Sequence, residues 1–135
     1  VVSSGAPGRV RVNGVEVHRS EPAALRTALA NAVAEFAPDR VLVSSEDAGQ
    51  TLLIAAEQEA PGRVVYLAHT PQMFPFGPAS LNPNSAGCEA VRAAAKVIAI
   101  GHYTADTILE HTGRDAEIVH PPIYGRPQHM AGAAV

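Results

Sequence analysis

Three short, unbroken apolar runs and a briefer fourth segment, separated by stretches of helical periodicity, constrain this chain more than any other feature of its sequence. Arg40–Ser45 carries Val41, Leu42 and Val43, and Arg63–Ala68 is apolar after its first residue. Lys96–Ile100 has the same form, and Ala116–Val119, interrupted by Glu117, reads as the last strand. Runs of this length without polar alternation are typical of strands buried on both faces of a parallel sheet. Between them, residues 48–59 place Leu52, Leu53 and Ala56 on one helical face and end at Pro61-Gly62. Residues 86–95 read as a second connecting helix and 103–112 as a third, stopped near Gly113. Strands alternating with helices imply right-handed crossovers. The expected fold is α/β, a Rossmann-like three-layer sandwich with a mostly parallel sheet.

Upstream, Val10-Arg11-Val12-Asn13-Gly14-Val15-Glu16-Val17 alternates on either side of Asn-Gly, the pair best able to supply positive φ in a tight turn. That predicts a β-hairpin. Ser20-Glu21-Pro22 offers a capping hydroxyl, an acid and an early proline, and Leu25, Leu29, Val33 and Phe36 follow at helical spacing. Residues 21–36 therefore read as an amphipathic helix with those four side chains inward. The connections are short except residues 70–85, which hold Pro71, Pro75, Pro78 and Pro83 with Phe74, Phe76 and Gly77. A loop of that length inside a compact domain usually has a function. At least one of Phe74 and Phe76 is expected to pack under this loop, and Ser80–Ser85 to be its loose part. The segment 126–135 lacks periodicity and reads as a flexible tail behind a domain over 1–125.

The chain has 135 residues, enough for one domain with a single core, and 47% of them are hydrophobic, too many for a disordered tail. Thirteen acidic residues against ten basic ones leave a net charge of −3, which argues against a nucleic-acid surface. The single cysteine, Cys88, excludes an internal disulfide framework and reads as a small core residue on a helix. No apolar run approaches the ~20 residues needed to span a bilayer. A cytoplasmic protein, at most peripheral to a membrane, is expected. Nine of the ten basic residues are Arg and alanine is abundant, the bias of a GC-rich bacterial genome. The chain opens on Val1, so an excised piece of a longer protein is expected.

In open α/β sheets ligands bind outside the carboxyl ends of the strands. Here those ends are Ser45-Glu46-Asp47, His69-Thr70-Pro71, Gly101-His102-Tyr103 and His120-Pro121-Pro122. His69 follows a fully apolar strand and opens the long loop, where an imidazole can donate to a phosphate or sugar hydroxyl or take a proton. His102 stands at a helix start, where free backbone amides favour anions. Glu46 and Asp47 can face a ligand or favour the helix dipole. No Gly-rich phosphate motif is present, and no close-spaced histidine pair supports a metal site.

Taken in order, Pro38-Asp39-Arg40-Val41-Leu42-Val43, Ala68-His69-Thr70-Pro71 and Phe74-Pro75-Phe76-Gly77 resemble the N-terminal domain of family-4-type glycosyltransferases of the GT-B fold. Val97-Ile98-Ala99-Ile100 with Tyr103-Thr104, the exit Pro121-Pro122-Ile123-Tyr124-Gly125, and the hairpin around Asn13-Gly14 agree with it. The resemblance runs from about residue 9 to 125. It implies the acceptor-side half of a two-domain enzyme, without its first strand and without the C-terminal domain that grips the sugar nucleotide. A hexose-type sugar would pass to a small-molecule or lipid acceptor, with the nucleotide sugar as cosubstrate and neither metal nor other cofactor. By position, His69 resembles the family histidine that reaches the donor sugar or its phosphate, orienting and stabilising in retaining members. Thr70, Phe74, Phe76 and Gly77 would shape the acceptor side, with Glu46, Asp47, His102 and Tyr103 as further substrate contacts. Gly101 departs from the family's usual serine, so that hydroxyl contact is absent.

Two other readings stay open on the sequence. One is a stand-alone, non-catalytic α/β binding or regulatory domain, favoured by the missing phosphate motif. The other is a metal-dependent hydrolase built on His69, His102 and His120.

Overall fold

The computed structural model describes residues 1–122, so the expected tail over 126–135 lies outside the described residues. The strands are β1 (Val2–Ser4), β2 (Gly8–Val12), β3 (Val15–Ser20), β4 (Val41–Ser44), β5 (Val64–Ala68), β6 (Lys96–Ala99) and β7 (Glu117–Ile118). The helices are α1 (Leu25–Phe36), α2 (Thr51–Glu59), α3 (Ser85–Ala93) and α4 (His102–Thr112). Single 3-10 turns occupy Pro22–Ala24 and Pro71–Met73.

Strands β4-β5-β6-β7 form an all-parallel sheet in chain order, compatible with a Rossmann-like three-layer α/β fold. Each crossover steps one strand in the same direction, so right-handed connections put α2, α3 and α4 on one face. Val43, Tyr66, Val97 and Ala99 share that face and are buried against Leu53, Ala56, Val91 and Ile108. Register places Leu42 beside Val65 and Leu67 beside Ile98 on the opposite face. That face is apolar too, which is why these strands show no alternation in sequence. No helix among the described residues is long and apolar enough to cross a membrane.

The Asn-Gly hairpin forms as expected, with Asn13 at φ 49° and Gly14 at φ 81°. It does not join the main sheet. Strand β3 instead pairs in parallel with β1, giving a second sheet of order β1-β3-β2. The first helical segment also differs from its expected form. Ser20 ends β3 and makes no cap, and a 3-10 turn precedes α1. Leu25 and Leu29 are buried and Val33 partly so, but Phe36 is 62% exposed, because the last turn of α1 runs past the core. Helix α2 starts three residues later than the periodicity suggests. Gln50 just before it is left-handed at φ 49°, and the Asp47 carboxylate instead accepts from the Leu52 amide at 2.8 Å.

Candidate functional site

All four strands of the main sheet point the same way, so their carboxyl ends share one edge. That edge brings together Ser45, Glu46 and Asp47 after β4 and His69 and Thr70 after β5, with His102 and Tyr103 after β6 and His120 beyond β7. Ser45 organises the first two groups. Its side chain is buried, and its Oγ accepts from the His69 amide at 2.9 Å and from the Thr70 amide at 3.4 Å. Its own amide donates to Leu67 O at 2.9 Å, continuing the β4–β5 ladder. The backbone from which the His69 side chain departs is thus tied to the neighbouring strand end.

The side chains above this anchor are open to solvent. Thr70 Oγ1 donates to Glu46 Oε1 at 2.5 Å, and the same oxygen lies 4.0 Å from His69 Nδ1. His69 and Glu46 are 41% and 49% exposed. A separation of 4.0 Å is too long for a hydrogen bond, and even with the imidazole protonated the contact is worth at most about 1 kcal/mol at this exposure. Among the described residues no hydrogen bond engages the imidazole. The result is a fixed backbone carrying an imidazole, a hydroxyl and a carboxylate within reach of one incoming group. Such a set can bind a sugar hydroxyl or a phosphate oxygen and can move a proton.

Several sequence-derived site residues have other duties. Asp47 caps α2 through its carboxylate, the dipole-favouring alternative, and does not face outward with Glu46. Phe74 and Phe76 both pack under the loop, where at least one was expected, so neither gives the acceptor side an apolar surface. Phe74 is fully buried and Phe76 nearly so, with ring centroids 5.4 Å apart and Tyr66 6.5 Å from Phe74. Burying each ring gains about 1.5–3 kcal/mol, and the core under the loop supplies that gain. They are core residues that shape the loop from beneath. Burial, aided by the nearby Glu46 and Asp47 charges, pushes the Tyr66 phenol up from its ordinary value.

The long loop borders the strand-end edge through Thr70–Met73 and then turns into the helical layer. Gln50, not singled out by sequence, holds it there: its buried amide donates to Met73 O and accepts from Asn84 Nδ2 at 2.7 Å. Ser80–Ser85, expected to be loose, is tied by Ser80 Oγ to Phe74 O at 2.5 Å and by Asn82 Nδ2 to Ala48 O at 3.1 Å. Asn84 caps α3 through the Gly87 amide at 2.6 Å. A side chain at Gly87 would place its Cβ 2.7 Å from Pro75, so glycine permits the loop to lie on α3. Gly77, at φ 87°, turns the chain beside α4. There it lines a 120 Å³ pocket with Pro71, Phe76, Tyr103, Thr107 and His111, whose ring stacks on Phe76 at 5.9 Å. Tyr103 is 70% exposed above this pocket, and His111 was not a sequence candidate.

His102 and His120 face each other, ring centroids 6.4 Å apart, both exposed. His69 is not part of that pair. Among the described residues no group of three or more His, Cys, Asp or Glu side chains could hold a metal ion, so the three-histidine hydrolase has no support in the geometry. Compared with known proteins, the chain matches no family model, and no curated protein or solved structure matches it significantly.

One prediction concerns the anchor. Ser45→Ala leaves two amides near the strand ends without their acceptor, which costs about 1–3 kcal/mol. Thermal unfolding should show the loss, with the largest amide-exchange increase at His69 and Thr70. An unchanged melting temperature with unchanged exchange at those two amides would remove Ser45 from this role.

Proposed function

We propose that this chain is the acceptor-side domain of a nucleotide-sugar-dependent glycosyltransferase, with His69 at the reacting end of its strand-end edge. The observation that carries the reading is the contrast at His69: a backbone held by buried Ser45 and an imidazole left free at the carboxyl edge of a parallel sheet. Ligands of open α/β sheets bind at that edge. The order of the sequence motifs supplies the reaction class, and the fold alone would not.

In this reading the leaving nucleotide gains negative charge on a phosphate oxygen, and an imidazole N–H aimed at that oxygen stabilises it more in the transition state than in the ground state. Glu46 and Thr70 keep the imidazole company on its Nδ1 side. Tyr103 and the loop start at Pro71 border the acceptor. The sugar nucleotide is held across a cleft by a second domain of the same protein, and no nucleic acid takes part.

Transfer needs both substrates positioned together, and positioning of that kind supplies much of the rate. The 135-residue chain alone is therefore expected to show no transfer from any nucleotide sugar, while the protein joining it to the second domain is active. The check is release of nucleoside diphosphate with and without acceptor. Transfer by the purified chain alone would overturn the division of labour proposed here.

A further inference from the structure

The pocket between α4 and the long loop is built on one stripe of that helix. Tyr103, Thr107, Glu110 and His111 stand at i, i+4, i+7 and i+8, so helical spacing puts them on one side, and all four line the pocket. Thr104, Ile108 and Thr112 carry the buried stripe instead. Phe76, nearly buried, lines the pocket from the loop, with the His111 ring stacked on it at 5.9 Å and 23°. Gly77 keeps the space open. A Cβ there would stand 3.5 Å from His111 Nε2 and 3.6 Å from Thr107 Cγ2, so any side chain would enter the gap between loop and helix. Pro71, two residues past His69, belongs both to this pocket and to the strand-end edge. The polar groups around the pocket have capacity to spare. Thr107 Oγ1 donates to Tyr103 O at 2.9 Å and keeps its lone pairs for an incoming donor. Arg92 binds the His111 carbonyl at 3.3 Å, but among the described residues no hydrogen bond engages the His111 imidazole, the Glu110 carboxylate or the Tyr103 hydroxyl.

We infer that this pocket holds one hydroxylated six-membered ring, of the pyranose kind, through Tyr103, Thr107, Glu110 and His111. Calling that ring the acceptor's rests on the glycosyltransferase reading; its binding does not. The size fits. An apolar cavity of ~150 Å³ takes up benzene, so 120 Å³ open on one side takes a ring of that size with part of its edge outside. The surface fits as well. Aromatic and proline carbons suit the C–H faces of such a ring, and each of its hydroxyls both donates and accepts. Opposite those hydroxyls the carboxylate accepts, the phenol does both, and an imidazole presents one donor and one acceptor when neutral. A phosphate would be repelled by Glu110, and among the described residues no Lys or Arg lines the pocket to offset it. An ammonium ion only donates, so it would satisfy Glu110 and leave the phenol O–H and the imidazole N–H without a partner from the ligand.

The test is a titration of the 135-residue chain followed by amide chemical shifts. The probes are the methyl pyranosides of glucose, galactose, mannose and N-acetylglucosamine. Cyclohexanol and cyclohexylammonium serve as controls, rings of the same size without the set of hydroxyls. At least one pyranoside should bind saturably in the millimolar range and shift the Thr107, Glu110 and His111 amides. Both controls should bind at least about tenfold more weakly. His111→Phe keeps an aromatic ring on Phe76 and removes both ring nitrogens, and Glu110→Ala removes a carboxylate from an exposed helical position. Each should weaken pyranoside binding about tenfold while the melting temperature stays near wild type. If His111→Phe does not fold, Glu110→Ala decides. No pyranoside binding, shifts confined to other elements, equal or tighter binding of either control, or wild-type affinity in Glu110→Ala would each overturn the inference. Turnover of a nucleotide sugar by the two-domain protein is a separate readout, so failure of this site and failure of the transferase reading are told apart.

Discussion

If the proposed function holds, replacing His69 with alanine in the proposed two-domain glycosyltransferase should lower turnover by about tenfold to a thousandfold while leaving the fold intact. The size follows from the proposed role, a donor to charge that develops only as the nucleotide departs. The intact fold follows from the geometry. Ser45 Oγ binds the His69 backbone amide, which alanine retains, and the lost side chain is 41% exposed. Substitutions at such surface positions usually stay within about 0.5 kcal/mol. Steady-state kinetics beside a melting curve separate the two effects. Wild-type turnover with an unchanged melting temperature would reduce His69 to a surface residue.

The second large effect is structural. Phe74→Ala should cost about 3–5 kcal/mol, since the ring is fully buried between Tyr66 and Phe76. Against a total stability of about 5–15 kcal/mol for a domain, that is a third or more of the whole. The melting temperature should fall by roughly 10 °C or more. Phe36→Ala, at a side chain 62% exposed, should change it little. Equal effects of the two substitutions would contradict the assignment of Phe74 to the core and return it to the surface as an acceptor contact.

The parallel sheet was legible because its strands are apolar on both faces and its helices carry their own period. Asn13-Gly14 announced the hairpin for an equally local reason, the need for positive φ at both turn residues. Features set by distant partners were not legible. β1 has three residues and no pattern of its own; it is a strand because β3 is beside it. Phe36 keeps the helical period of Leu25 and Leu29 but extends past the end of the core. That one of Phe74 and Phe76 packs under the proline-rich loop was legible from the cost of exposing both, but that both do was not, because the loop is pinned by Gln50 and Asn84, 34 residues apart. The strand-end cluster was legible as a place. Its internal order was not, because Ser45 reads as one more small polar residue until the 24-residue separation to His69 is closed by the sheet.

The central claim is that the edge bearing His69 meets the sugar nucleotide. The most direct measurement is a crystal structure of the proposed two-domain protein containing this chain, with a nucleotide-sugar donor bound. The account predicts the His69 imidazole within hydrogen-bond distance of the donor's sugar hydroxyls or phosphate, with Glu46 and Thr70 on its other side. A donor bound away from the strand ends, with His69 left in solvent, would contradict it.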